Sequence, residues 1–294
     1  MRPSWKALTL CLGIALGSFA FAQAQSLPLE PLHNTGQSVT GAFEGWFRNQ
    51  DGTFALLFGY YNRNLSEDVE IPVGPDNRIE PGGPDQGQPT HFLRGRQWGV
   101  FSVTVPADFG TNKLSWTLTS SGRTAVIPAS LNPLWEISPF RDDATGNTPP
   151  VMKLPGGASA QGPRPVVVQL STTLSNPLML NVSVTDDAKI PLFGFVGSPG
   201  AEQPNTPPVT VTWSKLRGPG TVTFANAKPS VELSNGGPAG ASAAVVRGDA
   251  KTTATFSMPG EYLLLVVAND WSGSGGHGYQ CCWTNAQVKV SVKQ

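Results

Sequence analysis

The sequence predicts an all-β protein, with two tandem antiparallel β-sandwich domains after a cleaved signal peptide. Its 294 residues include 33 glycines and 27 prolines without a collagen-like period, which is typical of many short strands joined by turns. After the first two dozen residues, apolar positions alternate with period two rather than recurring at the helical spacing i, i+3, i+4. Strand patterns that follow one another without helices between them indicate antiparallel sheets.

The first 24 residues have the pattern of an export signal. Arg2 and Lys6 form a basic start, residues 8–21 are mostly apolar, and the sequence AQA at 22–24 suits signal peptidase. Cleavage is expected after Ala24, and the apolar run is too short to favour a permanent transmembrane helix. The sequence therefore predicts a secreted or periplasmic protein with no transmembrane span in the mature chain.

Residues 25–141 predict the first sandwich domain, which the sequence assigns to no named family. The Asp-Gly pair at 51–52, between two apolar runs, is a strong hairpin signal, and the Ser-Gly pair at 121–122 predicts a second hairpin. Between the hairpins lies a long stretch rich in proline and glycine, residues 72–92. A loop of that length within a compact domain is usually functional or disordered.

Residues 142–165 are rich in turn formers and predict a linker, and residues 166–294 predict the second sandwich domain. The stretches NTPPV, VTDD, TWSKLRGPG, ATFSMPGEYLLLVVAND and AQVKVSV, between residues 147 and 293, resemble PKD and related immunoglobulin-like repeats of bacterial extracellular proteins. The resemblance implies an immunoglobulin-like fold with Trp213 buried on the third strand and Tyr262 as the corner tyrosine. Such repeats serve as spacers, adhesion modules and carbohydrate-binding accessories, so the resemblance is specific for fold and weak for function.

Cys281 and Cys282 are the only cysteines outside the predicted signal, and they are adjacent. Two Cα atoms across a trans peptide lie about 3.8 Å apart, below the usual disulfide range of about 4.4–6.8 Å. Because export favours oxidation of accessible thiols, a vicinal disulfide is one interpretation. Reduced thiols, with Cys282 on the core face and Cys281 on the solvent side beside Trp283, are a second, and an intermolecular disulfide is a third.

Metal binding is a fourth interpretation of this segment. His277 precedes the two cysteines on a glycine-rich loop, and thiolate and imidazole ligands at His277, Cys281 and Cys282 suit copper or zinc. A loop histidine with no ligand role is the alternative.

Acidic residues at predicted strand ends give a candidate calcium site, although the sequence requires no cofactor. Asp186 and Asp187 end one strand and Asp270 ends another, and such strand ends can meet at one pole of a sandwich. The alternative is that these aspartates cap turns through their own backbone. Asp76 and Asp85 in the first-domain loop are a weaker candidate.

Aromatic residues give a candidate binding surface for sugar rings. Adjacent aromatic residues on a strand point to opposite faces, so one ring of each pair leaves the core. The pairs are Trp46 with Phe47 and Tyr60 with Tyr61 in the first domain, and the candidate binding residues are Trp46, Tyr60 and Tyr61 together with Trp271 and Trp283, which flank the cysteine loop. Scattered surface aromatics are also normal in small domains.

The charge balance and the absence of catalytic motifs reduce the number of functional classes that fit the sequence. The 20 basic and 20 acidic residues balance, which argues against nucleic acid as a partner. The sequence lacks a Gly-x-Ser-x-Gly elbow and a His-Glu-x-x-His motif, so no catalysis is expected. The sequence predicts an exported, non-catalytic binding or structural protein, an adhesion module or spacer, with a protein or polysaccharide partner at the cell surface. The alternatives are a carbohydrate-binding accessory module and a periplasmic redox or metal-handling accessory protein that uses the His277/Cys281/Cys282 loop.

Overall fold

The computed structural model describes residues 33–143, 145–164, 166–187, 189, 209–233, 245–270 and 281–294. This part of the chain contains eighteen strands, two short 3-10 turns and no α-helix, so the predicted all-β class is confirmed. No helix among these residues is long and apolar enough to cross a bilayer. The predicted signal peptide, Trp271 and His277 lie outside the described residues.

The first eight strands form what we call the first block. Sheet I has the strand order β1-β2-β6, sheet II has the order β4-β7-β8, and β3 pairs with β5 as a short ribbon, all antiparallel. The predicted turns at 51–52 and 121–122 connect β1 to β2 and β7 to β8, which confirms both hairpins. The strands are β1 (Val39–Arg48), β2 (Phe54–Asn62), β3 (Val69–Glu70), β4 (Asn77–Glu80), β5 (His91–Phe92), β6 (Gly95–Val105), β7 (Lys113–Ser120) and β8 (Arg123–Ser130).

An aromatic core joins sheets I and II. The rings of Phe58 and Phe101 stack on sheet I, and Trp116 of sheet II meets both edge-on, with centroids 5.9 and 5.0 Å away. Gly41 allows this approach, because a Cβ there would lie 2.6 Å from the Trp116 ring. The Trp116 indole N–H donates to Asn77 Oδ1 at 3.0 Å, which satisfies its one polar group inside the core.

The long stretch 72–92 is held in place by the side chain of Asn77. Its amide nitrogen donates to the carbonyl oxygens of Ile71 and Pro89, at 2.9 and 2.8 Å, and thereby ties together the two ends of the loop. Because β4 and β5 lie within this stretch, the loop is part of the sheet structure of the first block.

The remaining ten strands form the second block. Sheet III has the order β10-β9-β12-β16-β14, with β15 also paired to β16, and sheet IV has the order β11-β18-β17-β13, in which only β11 runs parallel to its neighbour. Segment 142–165, interpreted from sequence as a linker, contributes β9 and β10 to sheet III. The strands are β9 (Val151–Lys153), β10 (Ser159–Ala160), β11 (Val167–Thr173), β12 (Leu178–Asp186), β13 (Thr210–Arg217), β14 (Val222–Phe224), β15 (Val231–Leu233), β16 (Val246–Phe256), β17 (Gly260–Asn269) and β18 (Trp283–Lys293).

Trp213 and Tyr262 lie in the core between sheets III and IV. Both side chains are buried there, as the resemblance to immunoglobulin-like repeats implied, and the Tyr262 hydroxyl donates to the Met258 carbonyl at 2.8 Å. The same core receives alternate residues of β17, among them Leu264 and Val266.

The opposite face of sheet IV is buried too, against the first block. Leu265 of β17 and Leu216 of β13 belong to the hydrophobic core of the first block. Burial on both faces explains why β17 is a continuous apolar run instead of an alternating one. Residues 33–294 accordingly form one compact unit.

Candidate ligand-binding cleft between the two blocks

A cleft of about 670 Å³ lies where the edge of the first block meets β13 and β14 of the second, and we call it the inter-block cleft. Residues 91–98 of β5, β6 and their connection contribute to one wall. Residues 212–215 of β13 and the turn that follows β14 contribute to the other. Residues far apart in the sequence therefore share one concave surface, which is where ligand sites are usually found.

Trp98 is the most exposed aromatic ring in this cleft, with 38% of its surface accessible. The Arg96 guanidinium lies over the ring, its Cζ atom 3.8 Å from the ring centroid. Arg96 is itself fixed by a 2.5 Å ion pair from Nη2 to Glu44 Oε1, and the Gly99 N–H donates to the other Glu44 oxygen at 2.5 Å. The ring is thus held in place by an arginine that a buried carboxylate positions.

Glu44 is nearly enclosed behind this arginine. Burial raises the pKa of the Glu44 carboxyl above its usual value, although the positive charge of Arg96 and the hydrogen bonds from Gly99 and Arg96 oppose the shift. The carboxylate lies behind the cleft wall and does not line it. Its role is therefore to hold Arg96 and not to meet a ligand.

Glu70 links the two blocks at the cleft. Glu70 Oε1 lies 2.6 Å from Lys215 Nζ of β13 and 2.8 Å from His91 Nδ1 of β5. Burial by itself would raise the pKa of the Glu70 carboxyl, but the hydrogen bonds from His91 and Lys215 outweigh it and lower the pKa. A carboxylate held in this way stays ionised and serves as a bridge between the blocks.

Three polar side chains of the second block face the cleft, and their hydroxyl or ammonium groups are not engaged by other described residues. Thr212 and Ser214 are two residues apart on β13 and therefore share one face of the strand. Within the described part of the chain, neither hydroxyl makes a hydrogen bond, and the ammonium group of Lys228 forms no ion pair. These groups are free to bond a ligand.

Buried polar atoms in the cleft wall also lack partners. Trp213 Nε1, Trp283 Nε1 and Asn269 Oδ1 are inaccessible to solvent and have no hydrogen-bond partner among the described residues, and all three residues border the cleft. Buried polar groups are normally bonded because an unmade bond costs about 1–3 kcal/mol.

The structure buries both cysteines of the adjacent pair. Cys281 and Cys282 are joined as a disulfide across a cis peptide bond, and both side chains are shielded from solvent. The expectation of a solvent-side Cys281 is wrong, because residues before β9 cover it: Cys281 Sγ lies 4.0 Å from the Asn147 carbonyl oxygen. The redox state of the pair in the exported protein stays a prediction, as does the metal site, which needs His277.

Most of the aromatic residues proposed as a sugar-binding surface are inside the protein. Trp46 is buried and donates from Nε1 to the Asn132 carbonyl, Tyr60 is 1% exposed, and Trp283 packs against the first block. The expectation that these three rings form an exposed surface is therefore wrong, because both faces of sheet I are covered. Tyr61 is 39% exposed, and Trp271 lies outside the described residues.

The three aspartates proposed for calcium do not form a metal-binding group. Asp270 Oδ2 accepts a 2.7 Å hydrogen bond from Asn147, and the two oxygens of Asp187 accept from Thr148 Oγ1 and the Lys189 N–H. Asp186 is buried. No three His, Cys, Asp or Glu side chains cluster as ligands anywhere in the described part.

The two loop aspartates of the first block have different roles. Asp85 forms a bidentate ion pair with Arg217 of β13, at 2.8 and 2.9 Å, and so joins the blocks at a second point. The Asp76 carbonyl accepts the Thr119 N–H at 2.8 Å, a backbone contact within the first block. Neither belongs to a cluster of metal ligands among the described residues.

Sequence reasoning missed Trp98 as a site residue, although a tryptophan that follows Arg96 and Gln97 near the start of a strand was a usable signal. Its direction could not be derived from alternation, because the pairing of β2 with β6 shifts register between Phe58 and Tyr60. The chain matches no protein-family model and no curated protein. What it binds must therefore be inferred from the cleft.

Proposed function

We propose that the protein is an exported, non-catalytic binding protein whose ligand site is the inter-block cleft. In this proposal the blocks are tandem immunoglobulin-like sandwiches after a cleaved signal peptide, and the second is PKD-like. The observation that carries the proposal is the pre-positioned Trp98 ring, which shares one cleft with the unbonded hydroxyls of Thr212 and Ser214. A spacer or purely structural module has no need for such groups.

The carboxylates of the cleft argue for binding and against catalysis. Glu70 is held by Lys215 and His91 with a lowered pKa, and Asp68 lies 3.3 Å from Arg94 Nε. A general acid needs the opposite, a carboxyl with a raised pKa next to the reacting bond. The carboxylates that line the cleft are thus engaged in ion pairs.

Carbohydrate is the ligand class that these groups fit best. A sugar ring offers an apolar face that stacks on an indole and a rim of hydroxyls that both donate and accept hydrogen bonds. Trp98 supplies the flat surface, and Thr212 and Ser214 supply matching hydroxyls on one strand face. A redox or metal-handling role is less supported, because Cys281 and Cys282 are buried.

The test is native gel electrophoresis through gels that contain xylan, dextran or polygalacturonate. The mature protein is compared with Trp98→Ala and with Tyr61→Ala, whose ring is equally exposed but lies outside the cleft. We expect at least one polymer to retard the wild type and Tyr61→Ala but not Trp98→Ala. A cooperative thermal unfolding transition in all three proteins would show that each of them is folded. Absence of retardation by every polymer, or retardation that survives in Trp98→Ala, would contradict the proposal.

A further inference from the structure

The cleft is rich in groups that only donate hydrogen bonds. Arg94, Arg96 and Lys228 have no acceptor atoms in their charged groups, and the Trp98 indole N–H is also a pure donor. The two carboxylates that could balance them are already engaged, because Asp68 pairs with Arg94, and Glu70 pairs with Lys215 and His91. A ligand with strong acceptors is therefore favoured over one with hydroxyls alone.

The cleft also carries more positive than negative charge. Four cationic side chains line it, Arg94, Arg96, Lys215 and Lys228, against the two carboxylates Asp68 and Glu70. Glu44 neutralises Arg96 from behind. This leaves Lys228, which is exposed and has no ion-pair partner among the described residues. The Arg94 side chain is half exposed despite its contact with Asp68.

From this arrangement we propose that the inter-block cleft binds an acidic polysaccharide, a chain of sugar rings that carry carboxylates. The inference rests on the proposed function and specifies its ligand. Trp98 stacks on a ring of the chain, Thr212 and Ser214 bond its hydroxyls, and Lys228 and Arg94 attract its carboxylates. Overall charge does not account for such binding, because the formal net charge of the whole chain is zero.

The experiment uses affinity gels with three polymers: polygalacturonate, dextran sulfate and neutral dextran. The variant is Lys228→Gln, and its control is Lys251→Gln, which removes the same charge from an exposed lysine of β16 outside the cleft. We expect polygalacturonate to retard the wild type most strongly and dextran least. Lys228→Gln should weaken retention by polygalacturonate about fivefold, as expected for one exposed charge contact, whereas Lys251→Gln should leave it unchanged.

The outcomes separate this inference from the proposed function. Equal retention by dextran and polygalacturonate, insensitive to Lys228→Gln but lost in Trp98→Ala, overturns the acidic ligand and leaves a neutral-sugar site. Stronger retention by dextran sulfate than by polygalacturonate overturns the assignment to carboxylates. No retention by any polymer overturns both proposals. Added salt should weaken polygalacturonate binding, because the contacts are exposed charges.

Discussion

Lys215 of the second block donates a 2.6 Å hydrogen bond from Nζ to Glu70 Oε1 of the first block. The Lys215 side chain is almost completely buried, whereas that of Glu70 is half exposed. The same ammonium donates to the Gly220 carbonyl at 3.1 Å. The charge therefore sits at the joint between the two blocks, and the geometry of the cleft depends on this pair.

Replacement of Lys215 by methionine is expected to destabilise the protein by about 1–2 kcal/mol at pH 7. The pair loses a charge-assisted hydrogen bond, but the half-exposed Glu70 keeps part of its hydration, which places the cost well below that of breaking a fully buried pair. Urea unfolding of both proteins measures the difference. Lys251→Met is the control, because it removes a lysine from the exposed 3.7 Å pair with Glu232. It should change the free energy of unfolding by less than about 0.5 kcal/mol.

The destabilisation caused by Lys215→Met should become smaller as the pH is lowered. The pKa of Glu70 is lower in the folded protein than in the unfolded chain, since hydrogen bonds from His91 and Lys215 overcome the opposing effect of burial. Its stabilising contribution is present above the unfolded pKa and is lost as the pH falls through the folded pKa. The wild type and Lys215→Met should therefore differ more at pH 7 than at pH 3. An equal difference at both values would show that lost packing, and not charge, explains the effect.

Tyr60 and Tyr61 are neighbours, but loss of the hydroxyl should lower stability much more at Tyr60 than at Tyr61. The Leu93 N–H donates to Tyr60 Oη at 2.8 Å inside the first block, and burial raises the pKa of the Tyr60 phenol. Tyr60→Phe leaves that N–H without an acceptor and should cost about 1–2 kcal/mol. Tyr61→Phe, at an exposed position, should change stability by less than about 0.5 kcal/mol. Chemical denaturation measures the free energy of unfolding of both variants and of the wild type. Similar losses of stability in the two variants would contradict the hydrogen bond assigned to Tyr60.

The two hairpins and the all-β fold class could be predicted from the sequence, because the signals for both are local. The Asp-Gly pair at 51–52 and the Ser-Gly pair at 121–122 depend on neighbouring residues alone, and both predicted hairpins agree with the structure. The burial of Trp213 and Tyr262, which the resemblance to immunoglobulin-like repeats implied, also agrees with the structure. Turn residues and alternation along the chain are thus sufficient to predict that these segments form strands and hairpins.

The inter-block cleft could not be predicted, because it depends on the contact of one block with the other. Alternation places Leu265 on the outer face of sheet IV, and no local pattern shows that the first block covers that face. The same covering buries Trp283, which its position on β18 would otherwise leave exposed. Lys215 and Glu70, 145 positions apart, meet for the same reason.

Gly99 lies at a close approach of the two blocks. Its φ is +52°, and a Cβ at this position would lie 2.5 Å from the Trp283 ring. The Asn285 side chain of β18 also donates to the Gly99 carbonyl. Gly99→Ala should therefore combine backbone strain of about 1–2 kcal/mol with overpacking of about 1–3 kcal/mol.

Gly52→Ala is the matched control for Gly99→Ala. Gly52 has a φ of +87°, and its Cβ would meet no atom within 4 Å, so this variant carries the strain without the clash. Thermal and urea unfolding of both variants should show Gly99→Ala to be the less stable by at least about 1 kcal/mol. Equal losses of stability in the two variants would mean that the blocks are not closely packed at Trp283.

The cysteine pair should be oxidised within one chain in protein exported to a bacterial periplasm. Export exposes thiols to oxidants, and Cys281 and Cys282 are joined to each other and buried beneath Asn147, away from partners in other molecules. The intact mass should therefore lie below that of the reduced chain by two hydrogens, and it should also show cleavage after Ala24. Iodoacetamide should modify both cysteines only after reduction under denaturing conditions, and Cys281→Ser should abolish the mass difference. Two reactive thiols in the native protein, a disulfide-linked dimer, or bound copper or zinc would each contradict this expectation, and the last would bring back the metal site with His277.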